Sequence, residues 1–110
     1  MNGDSSDKVH WLGGILRDQQ RPMKERFRAL ILLKSIGDKA AIDEILACLD
    51  DSSALLKHEC AYCVGQLQNT HAVPKLMSVL QDLNQEPIVR HEAGESVYYI
   101  INSFINTKWI

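Results

Sequence analysis

The sequence predicts an all-α fold, a solenoid of antiparallel helix pairs. An internal repeat is the first observation, because residues 35–49 align without gaps on residues 66–80. Apolar residues at helical spacing are the second, and helix-starting residues ahead of each apolar stretch are the third. Repeats of about 30 residues cannot bury an apolar face alone, so they stack on one another.

HEAT-like stacking fits this pattern best, with each repeat an antiparallel helix pair. A first helix, ahead of the repeats, should act as an N-terminal cap, although Gly13 and Gly14 weaken its middle. We therefore expect one HEAT-like domain over residues 1–110, made of a capping helix at 4–20, repeat 1 at 22–50, repeat 2 at 53–83, and the first helix of repeat 3 with a divergent tail at 87–105.

Capping residues predict where the helices begin and end. Residues suited to helix starts precede each first helix, and they are Pro22, the cluster at residues 50–53, and Pro87. Within a repeat, Gly37 or Asn69 should break the helix. Asp38 or Thr70 can then cap the second helix, and Pro74 falls in its first turn, where a missing N–H costs little.

Each first helix carries one apolar stripe that should face the core. In repeat 2 the stripe contains Leu56, Cys60, Cys63, Val64 and Leu67, and in repeat 3 it contains Val89, Ala93, Val97 and Ile100. The last repeat has no partner helix in this chain. We therefore expect its apolar stripe to be exposed.

Composition limits the classes of function. The chain has 110 residues, 45% of them hydrophobic and 24% charged, with a net charge of −2. This is typical of one globular domain and provides no basic surface for nucleic acid. The first residues form no apolar signal segment, and no stretch is long enough to span a membrane. We expect a soluble, intracellular protein, located in the cytoplasm.

Two His-Glu pairs occupy the same position in consecutive repeats. His58-Glu59 and His91-Glu92 lie outside the core stripes, on polar arcs that point the same way. Stacking should bring these imidazoles and carboxylates together, and a divalent cation relieves the repulsion between crowded carboxylates. Nitrogen and oxygen donors suit iron, manganese or zinc. Repeat 1 has Phe27 in the first position of the pair, so folding does not require the motif. Solvated surface is the alternative, and periodicity by itself leaves both open.

Cysteines provide a second, weaker candidate site. Three cysteines without a secretion signal favour reduced thiols. Cys60 and Cys63 have zinc or redox spacing, but both fall in the apolar stripe and no second cysteine pair exists to complete a tetrahedral site. Buried core thiols are the favoured interpretation. His10 and His71 lie outside the register of the His-Glu pairs and are expected on the surface.

Other residues next to the motifs have several interpretations each. Lys57 and Arg90 precede the histidines and could lower the pKa of neighbouring carboxylates or bind an anionic partner, or be merely solvated. Gly65 and Gly94 lie inside helices, where glycine costs about 1 kcal/mol relative to alanine. They could admit a substrate or a neighbouring helix, or reflect tight repeat packing.

The chain resembles deoxyhypusine hydroxylase over about residues 20–95. The segments that carry the resemblance include RFRAL at 26–30, DSSALLKHE at 51–59 and the highly specific run QEPIVRHEAGE at 85–95. The resemblance implies a HEAT-repeat enzyme with two similar halves, each holding two His-Glu motifs. Together the motifs bind two irons that activate dioxygen and hydroxylate the deoxyhypusine side chain of translation initiation factor 5A.

The resemblance also implies roles for individual residues. It makes His58, Glu59, His91 and Glu92 iron ligands or their immediate partners, with Glu59 and Glu92 as the catalytic carboxylates. Glu95, one turn beyond His91, is expected near the cationic arm of the substrate. The chain matches the N-terminal half of the family, so it has two of the four motifs.

Residues 96–110 depart from the family pattern, being rich in asparagine, isoleucine and aromatics. The leading interpretation is a half-length deoxyhypusine mono-oxygenase whose activity alone is in doubt. A homodimer could restore four motifs. The alternatives are a non-enzymatic HEAT-repeat interaction module that binds the substrate factor or the full-length enzyme, and a zinc module using Cys60 and Cys63.

Overall fold

Six α-helices make up the described part of the chain, and no strand occurs there. The computed structural model describes the backbone of residues 4–109 and the side chains of residues 6–107. The helices are α1 (Asp4–Arg17), α2 (Met23–Ile36), α3 (Lys39–Ala47), α4 (Ala54–Gln66), α5 (Val73–Gln81) and α6 (Pro87–Trp109). A short 3-10 turn at Cys48–Asp50 follows α3, and a second at Thr70–Ala72 precedes α5. The predicted all-α class is confirmed.

The helices form two layers. Helices α2, α4 and α6 pack side by side in one layer, while α1, α3 and the turn before α5 follow one another in the second. The Cα atoms extend over 39 × 37 × 18 Å, and the short dimension accommodates two helix layers packed about 8–10 Å apart. Among the described residues, none of these helices combines the length and apolarity needed to cross a membrane.

Capping follows the prediction in repeat 1 and departs from it in repeat 2. Gly37 ends α2 in the left-handed conformation with φ 66°, and the Asp38 carboxylate accepts the Ala41 N–H at 2.8 Å. In repeat 2 the left-handed residue is Gln68, with φ 57°. Asn69 caps the 3-10 turn that precedes α5. The predictions for Asn69 and Thr70 were therefore wrong by one residue, because an amide oxygen caps a helix as an aspartate does.

The α4 stripe is buried as predicted, but the outcome for α6 differs. Val89, Ala93 and Ile100 are fully buried, because α6 packs against both α4 and α5. The expectation of an exposed stripe was wrong for these residues. A second face of α6 is exposed instead and carries Tyr98, Ile101 and Ile105. Ile88 and Phe104, nearer the two ends of the helix, are exposed as well.

Arginines of α2 and α6 tie each of these helices to the helix that precedes it. Arg26 is 3% exposed, and its Nε donates to the Leu16 carbonyl at 2.8 Å while its guanidinium pairs with Asp51 at 2.5 Å. Arg90 Nε donates in the same way to the Leu80 carbonyl at 2.9 Å. These contacts satisfy helix C-terminal carbonyls that have no partner within their own helix.

The Glu44 side chain of α3 lies over Gly13 of α1. A Cβ on Gly13 would lie 1.9 Å from Glu44 Oε1, so this carboxylate would have to move if the residue were larger. Glu44 pairs with Arg17 and lies 3.2 Å from His10 Nδ1. His10 is exposed, as predicted, and so is His71, which pairs with Asp43.

Candidate functional site

The two His-Glu motifs meet where α4 packs against α6. His58 Nε2 lies 3.0 Å from Glu92 Oε1, and His58 Nδ1 lies 3.2 Å from Glu59 Oε2. The side chains of His58 and Glu92 are 25% and 16% exposed, against 39% for Glu59. Both imidazole nitrogens thus face carboxylate oxygens, one on the same helix and one on the next repeat.

A close contact between the two helices sets this geometry. The Ser96 hydroxyl on α6 donates to the Ala61 carbonyl on α4 at 2.7 Å. A Cβ on Gly65 would lie 2.3 Å from Ser96 Oγ and 3.1 Å from Ser96 Cα. Gly65 therefore admits the neighbouring helix, which confirms one of its interpretations. Gly94 packs less tightly, since its Cβ would meet Leu80 at 3.3 Å.

An open cleft of about 150 Å³ lies beside His58 on the same surface. Glu92 and Glu95 both line the cleft, so two carboxylates face one small volume. Its remaining lining residues are Tyr62, Gly65, Gln66, Ser96 and Tyr99. Carboxylates pair with a cation, and aromatic faces attract one. The cleft is therefore suited to an extended cationic side chain.

His91 does not join this cluster. It is exposed on α6, whereas His58 is half-buried between two helices. His58 makes its cross-repeat contact with Glu92 on α6, in the repeat that follows it. Within residues 6–107, no group of three or more His, Cys, Asp and Glu side chains is arranged to hold a metal ion. The structure thus brings His58, Glu59, Glu92 and Glu95 to one surface and leaves His91 beside it.

Lys57 is buried rather than solvated. Its Nζ donates to Gln85 Oε1 at 2.9 Å and lies 2.8 Å from Glu86 Oε1. This hydrogen bond lowers the pKa of Glu86, which is one of the alternatives left open for Lys57. Gln85 in turn donates to the Leu49 carbonyl at 3.2 Å. Lys57 therefore holds the loop before α6 against α4 and supports the spacing of the two motifs.

The cysteines belong to the core. Cys48, Cys60 and Cys63 are all buried and free, which confirms the favoured interpretation. A hydrogen bond with Cys48 and burial raise the pKa of Cys60 well above its ordinary value, and burial raises the pKa of Cys63. Thiols that resist deprotonation are poor zinc ligands, because the thiolate is the binding form. The geometry favours the His-Glu surface over the cysteines.

The sequence did not indicate the roles of two residues, Ser96 in the site and Arg26 in the core. Ser96 lies on the core side of α6, and no pattern in the chain identifies its contact with Ala61. Arg26 was assigned no role, although it occupies the repeat position of Lys57 and Arg90. That equivalence is visible in the repeat alignment and could have indicated a shared structural role.

The family model for HEAT repeats matches residues 10–97. This chain belongs to the HEAT-repeat family. The match begins inside α1 and ends inside α6, so it covers the repeats on which the His-Glu motifs lie.

Curated relatives specify the resemblance further. Proteins named deoxyhypusine hydroxylase from Drosophila melanogaster and Homo sapiens are 54% and 50% identical to this chain over 93 residues, which is 84% of the chain. The solved structure of human deoxyhypusine hydroxylase in complex with glycerol matches with a TM-score of 0.84 and 48% identity, over 91% of this chain. The resemblance expected from the sequence is confirmed.

This chain is much shorter than those relatives. The matched segment covers 31% of the Drosophila melanogaster and human proteins and 36% of the solved human chain. The chain thus spans about a third of the length of the proteins it matches.

Proposed function

We propose that this chain contributes one part of the di-iron site of a deoxyhypusine hydroxylase. The observation that carries the proposal is His58, held between Glu59 and Glu92 where two repeats meet. It occurs in a chain that is about half identical to proteins with that activity. A solvated surface would not require a half-buried imidazole with a carboxylate at each nitrogen.

The donor set fits iron in its chemistry. Imidazole nitrogen and carboxylate oxygen are ligands that non-haem iron uses, and two ferrous ions bring four positive charges that several carboxylates can balance. His58, Glu59, His91 and Glu92 would hold the metal, with Glu59 and Glu92 closest to the chemistry. Bound iron would supply the reduction of dioxygen that hydroxylation of a C–H bond needs.

The protein's own residues would bind and orient the substrate. The substrate of the reaction is translation initiation factor 5A carrying deoxyhypusine, whose side chain is a cationic polyamine-like arm. Glu95 and Glu92 would pair with the amines in the cleft, and Tyr62 and Tyr99 would pack along the arm. The Ser96 hydrogen bond to Ala61 would keep the distance between the two helices fixed during substrate binding.

A complete di-iron site requires more nitrogen and oxygen ligands than one copy of this chain brings together. This chain has two His-Glu motifs, and a homodimer would bring four. We expect a monomer to bind iron weakly at most. Native mass spectrometry under anaerobic conditions measures the iron per chain, and tight binding of two irons by the monomer would contradict this part of the proposal.

The deciding experiment replaces the histidines. His58→Ala/His91→Ala should abolish iron binding and hydroxylation of deoxyhypusine-bearing factor 5A. The matched control is His10→Ala/His71→Ala, which removes two exposed histidines outside the motifs and should leave both unchanged. Equal iron content in the two double variants would refute the assignment of His58 and His91.

A second candidate is a non-enzymatic interaction module, favoured by the exposed apolar face of α6. Such a module would bind factor 5A or a full-length hydroxylase through surface complementarity. In that case His58→Ala/His91→Ala would leave partner binding unchanged, and wild-type protein would show no hydroxylation. Pull-down and hydroxylation assays on the same protein samples distinguish the two functions.

A further inference from the structure

The layer formed by α2, α4 and α6 presents one outer surface whose charge changes along the solenoid. Arg28, Glu59 and Glu92 occupy the same position in successive repeats. Contacts join the three helices, since Lys34 Nζ lies 5.7 Å from the centre of the Tyr62 ring and His58 contacts Glu92. The surface therefore has a basic end at repeat 1 and an acidic end at the His-Glu motifs.

Two cations at the basic end are uncompensated. Arg21 is neutralised by Asp18 and Glu25, at 3.6 and 3.1 Å. Lys24 and Arg28 are exposed and lie one helical turn apart. Among the side chains of residues 6–107, neither forms an ion pair with a carboxylate. The basic end thus has two positive charges available to a partner.

An apolar groove of about 330 Å³ adjoins Arg28 between α1 and α2. Trp11 and Leu32 line it and are 63% and 44% exposed, although both are large apolar side chains. Leu12, Ile15 and Ala29 also line the groove. Its charged lining residues are Arg28 and the Arg21–Glu25 ion pair, so Arg28 is the lining charge without a carboxylate partner among the described side chains. We call this region the Trp11 groove. An apolar groove with a guanidinium beside it fits an apolar side chain that has a carboxylate next to it in sequence.

We propose that the Trp11 groove binds an acidic segment of the protein substrate. An apolar side chain of that segment inserts between Trp11 and Leu32, and an adjacent carboxylate pairs with Arg28. The inference rests on the proposed function and extends it from the reacting side chain to the protein that carries this side chain. A cationic arm at the acidic cleft and an acidic segment at the basic end allow only one orientation of the substrate, because the reverse orientation opposes like charges.

Charge reversal at Arg28 tests this orientation. Binding of labelled, deoxyhypusine-bearing factor 5A is measured by fluorescence anisotropy without iron at physiological ionic strength. Arg28→Glu should weaken binding about tenfold, because an attractive contact becomes a repulsive one. Arg28→Lys should stay within about threefold of wild type, since it keeps the charge and loses the fork geometry. Trp11→Ala should weaken binding about fivefold without any change of charge.

The matched control is Lys39→Glu. Lys39 is an exposed cation at the start of α3, in the other helix layer. The same change of net charge there should alter binding less than about twofold. Circular dichroism checks that each variant keeps the helix content of wild type. Equal weakening by Arg28→Glu and Lys39→Glu would show a net-charge effect and overturn the proposal.

A second probe tests whether the Trp11 groove binds an acidic peptide, independently of the proposed function. The probe is a labelled hexapeptide of alternating glutamate and leucine, compared with its glutamine counterpart. Peptide binding that requires glutamate and is lost in Arg28→Glu supports the groove even if factor 5A fails to bind, which would count against the proposed function alone. Unchanged binding of both probes by Arg28→Glu and Trp11→Ala would overturn the proposal. The proposal would also be overturned if these variants changed only the self-association of the protein, measured by sedimentation. A second copy of the chain would then be the occupant of the groove.

Discussion

Gly65→Ala tests whether close approach of α4 and α6 builds the site. Gly65 is buried where the helices cross, and its missing Cβ leaves room for Ser96. Alanine is ordinarily the better helix residue by about 1 kcal/mol. Local helix propensity therefore predicts a stabilised protein, whereas the tertiary contact predicts the opposite.

The distances determine which effect is larger. An added Cβ would lie 2.7 Å from Ser96 Cβ and 3.1 Å from its Cα, so a rotation of the hydroxyl does not relieve the clash. Overpacking of this kind costs about 1–3 kcal/mol. Loss of the buried Ser96 hydrogen bond to Ala61 adds about 1 kcal/mol. After the gain in helix propensity, we expect Gly65→Ala to lower the free energy of unfolding by about 1–3 kcal/mol.

Urea unfolding followed by circular dichroism measures this change. Gly14→Ala is the matched control, because a Cβ on Gly14 meets nothing within 4 Å and should stabilise the protein by about 0.5–1 kcal/mol. The double variant Gly65→Ala/Ser96→Gly should recover part of the loss. The reasoning fails if Gly65→Ala stabilises the protein as much as Gly14→Ala does.

Three further predictions concern the packing around the site. Arg26→Met should cost about 3–5 kcal/mol, because it leaves the buried Asp51 carboxylate without its partner. Although burial raises the pKa of Asp51, hydrogen bonds from Arg26 and from the Ser53 backbone lower it overall. The Arg26–Asp51 ion pair therefore stabilises the wild-type protein above about pH 4. This stabilisation is lost as pH falls through the pKa of Asp51 in the folded protein. In the variant the lowering by Arg26 is lost, so the pKa of Asp51 is higher than in the wild type, and urea titrations should show the stability difference between the two proteins shrinking as pH is lowered from 7 to 4. A constant difference would contradict the ion pair. The raised pKa of Cys60 predicts little reaction with a disulfide reagent at pH 8 until urea unfolds the protein, whereas fast native labelling of this residue by mass spectrometry would exclude a core thiol. Gln68→Gly should raise the free energy of unfolding by about 0.5–1 kcal/mol, because φ is positive there, and a destabilised variant would show that the side-chain bonds outweigh the backbone strain.

Much of the architecture was predictable because it depends on local periodicity. A stripe such as Leu56, Cys60 and Val64 identifies a buried helix face without reference to any partner. The cap at Asp38 follows from its own chemistry and that of Gly37 beside it. The cap at Asn69 was misplaced because the left-handed residue there is Gln68, which local preference does not favour.

The site was predictable only in part. The repeat register placed His58 and Glu92 on one surface, since equivalent positions of stacked repeats lie side by side. The register could not show that His58 would contact both carboxylates while His91 stays exposed, because that depends on how closely two particular helices approach. Ser96 sets that approach through the space above Gly65, a contact between residues 31 positions apart.

By itself the sequence determined the helical class, the repeat register and the candidate metal ligands, because each follows from side-chain chemistry and spacing along one helix. Only the tertiary structure decided which of those residues meet, how deeply each is buried, and which face of α6 is left exposed. These properties arise from packing between helices: the missing Cβ at Gly65 leaves room for Ser96 in the same helix pair that places His58 Nε2 3.0 Å from Glu92 Oε1.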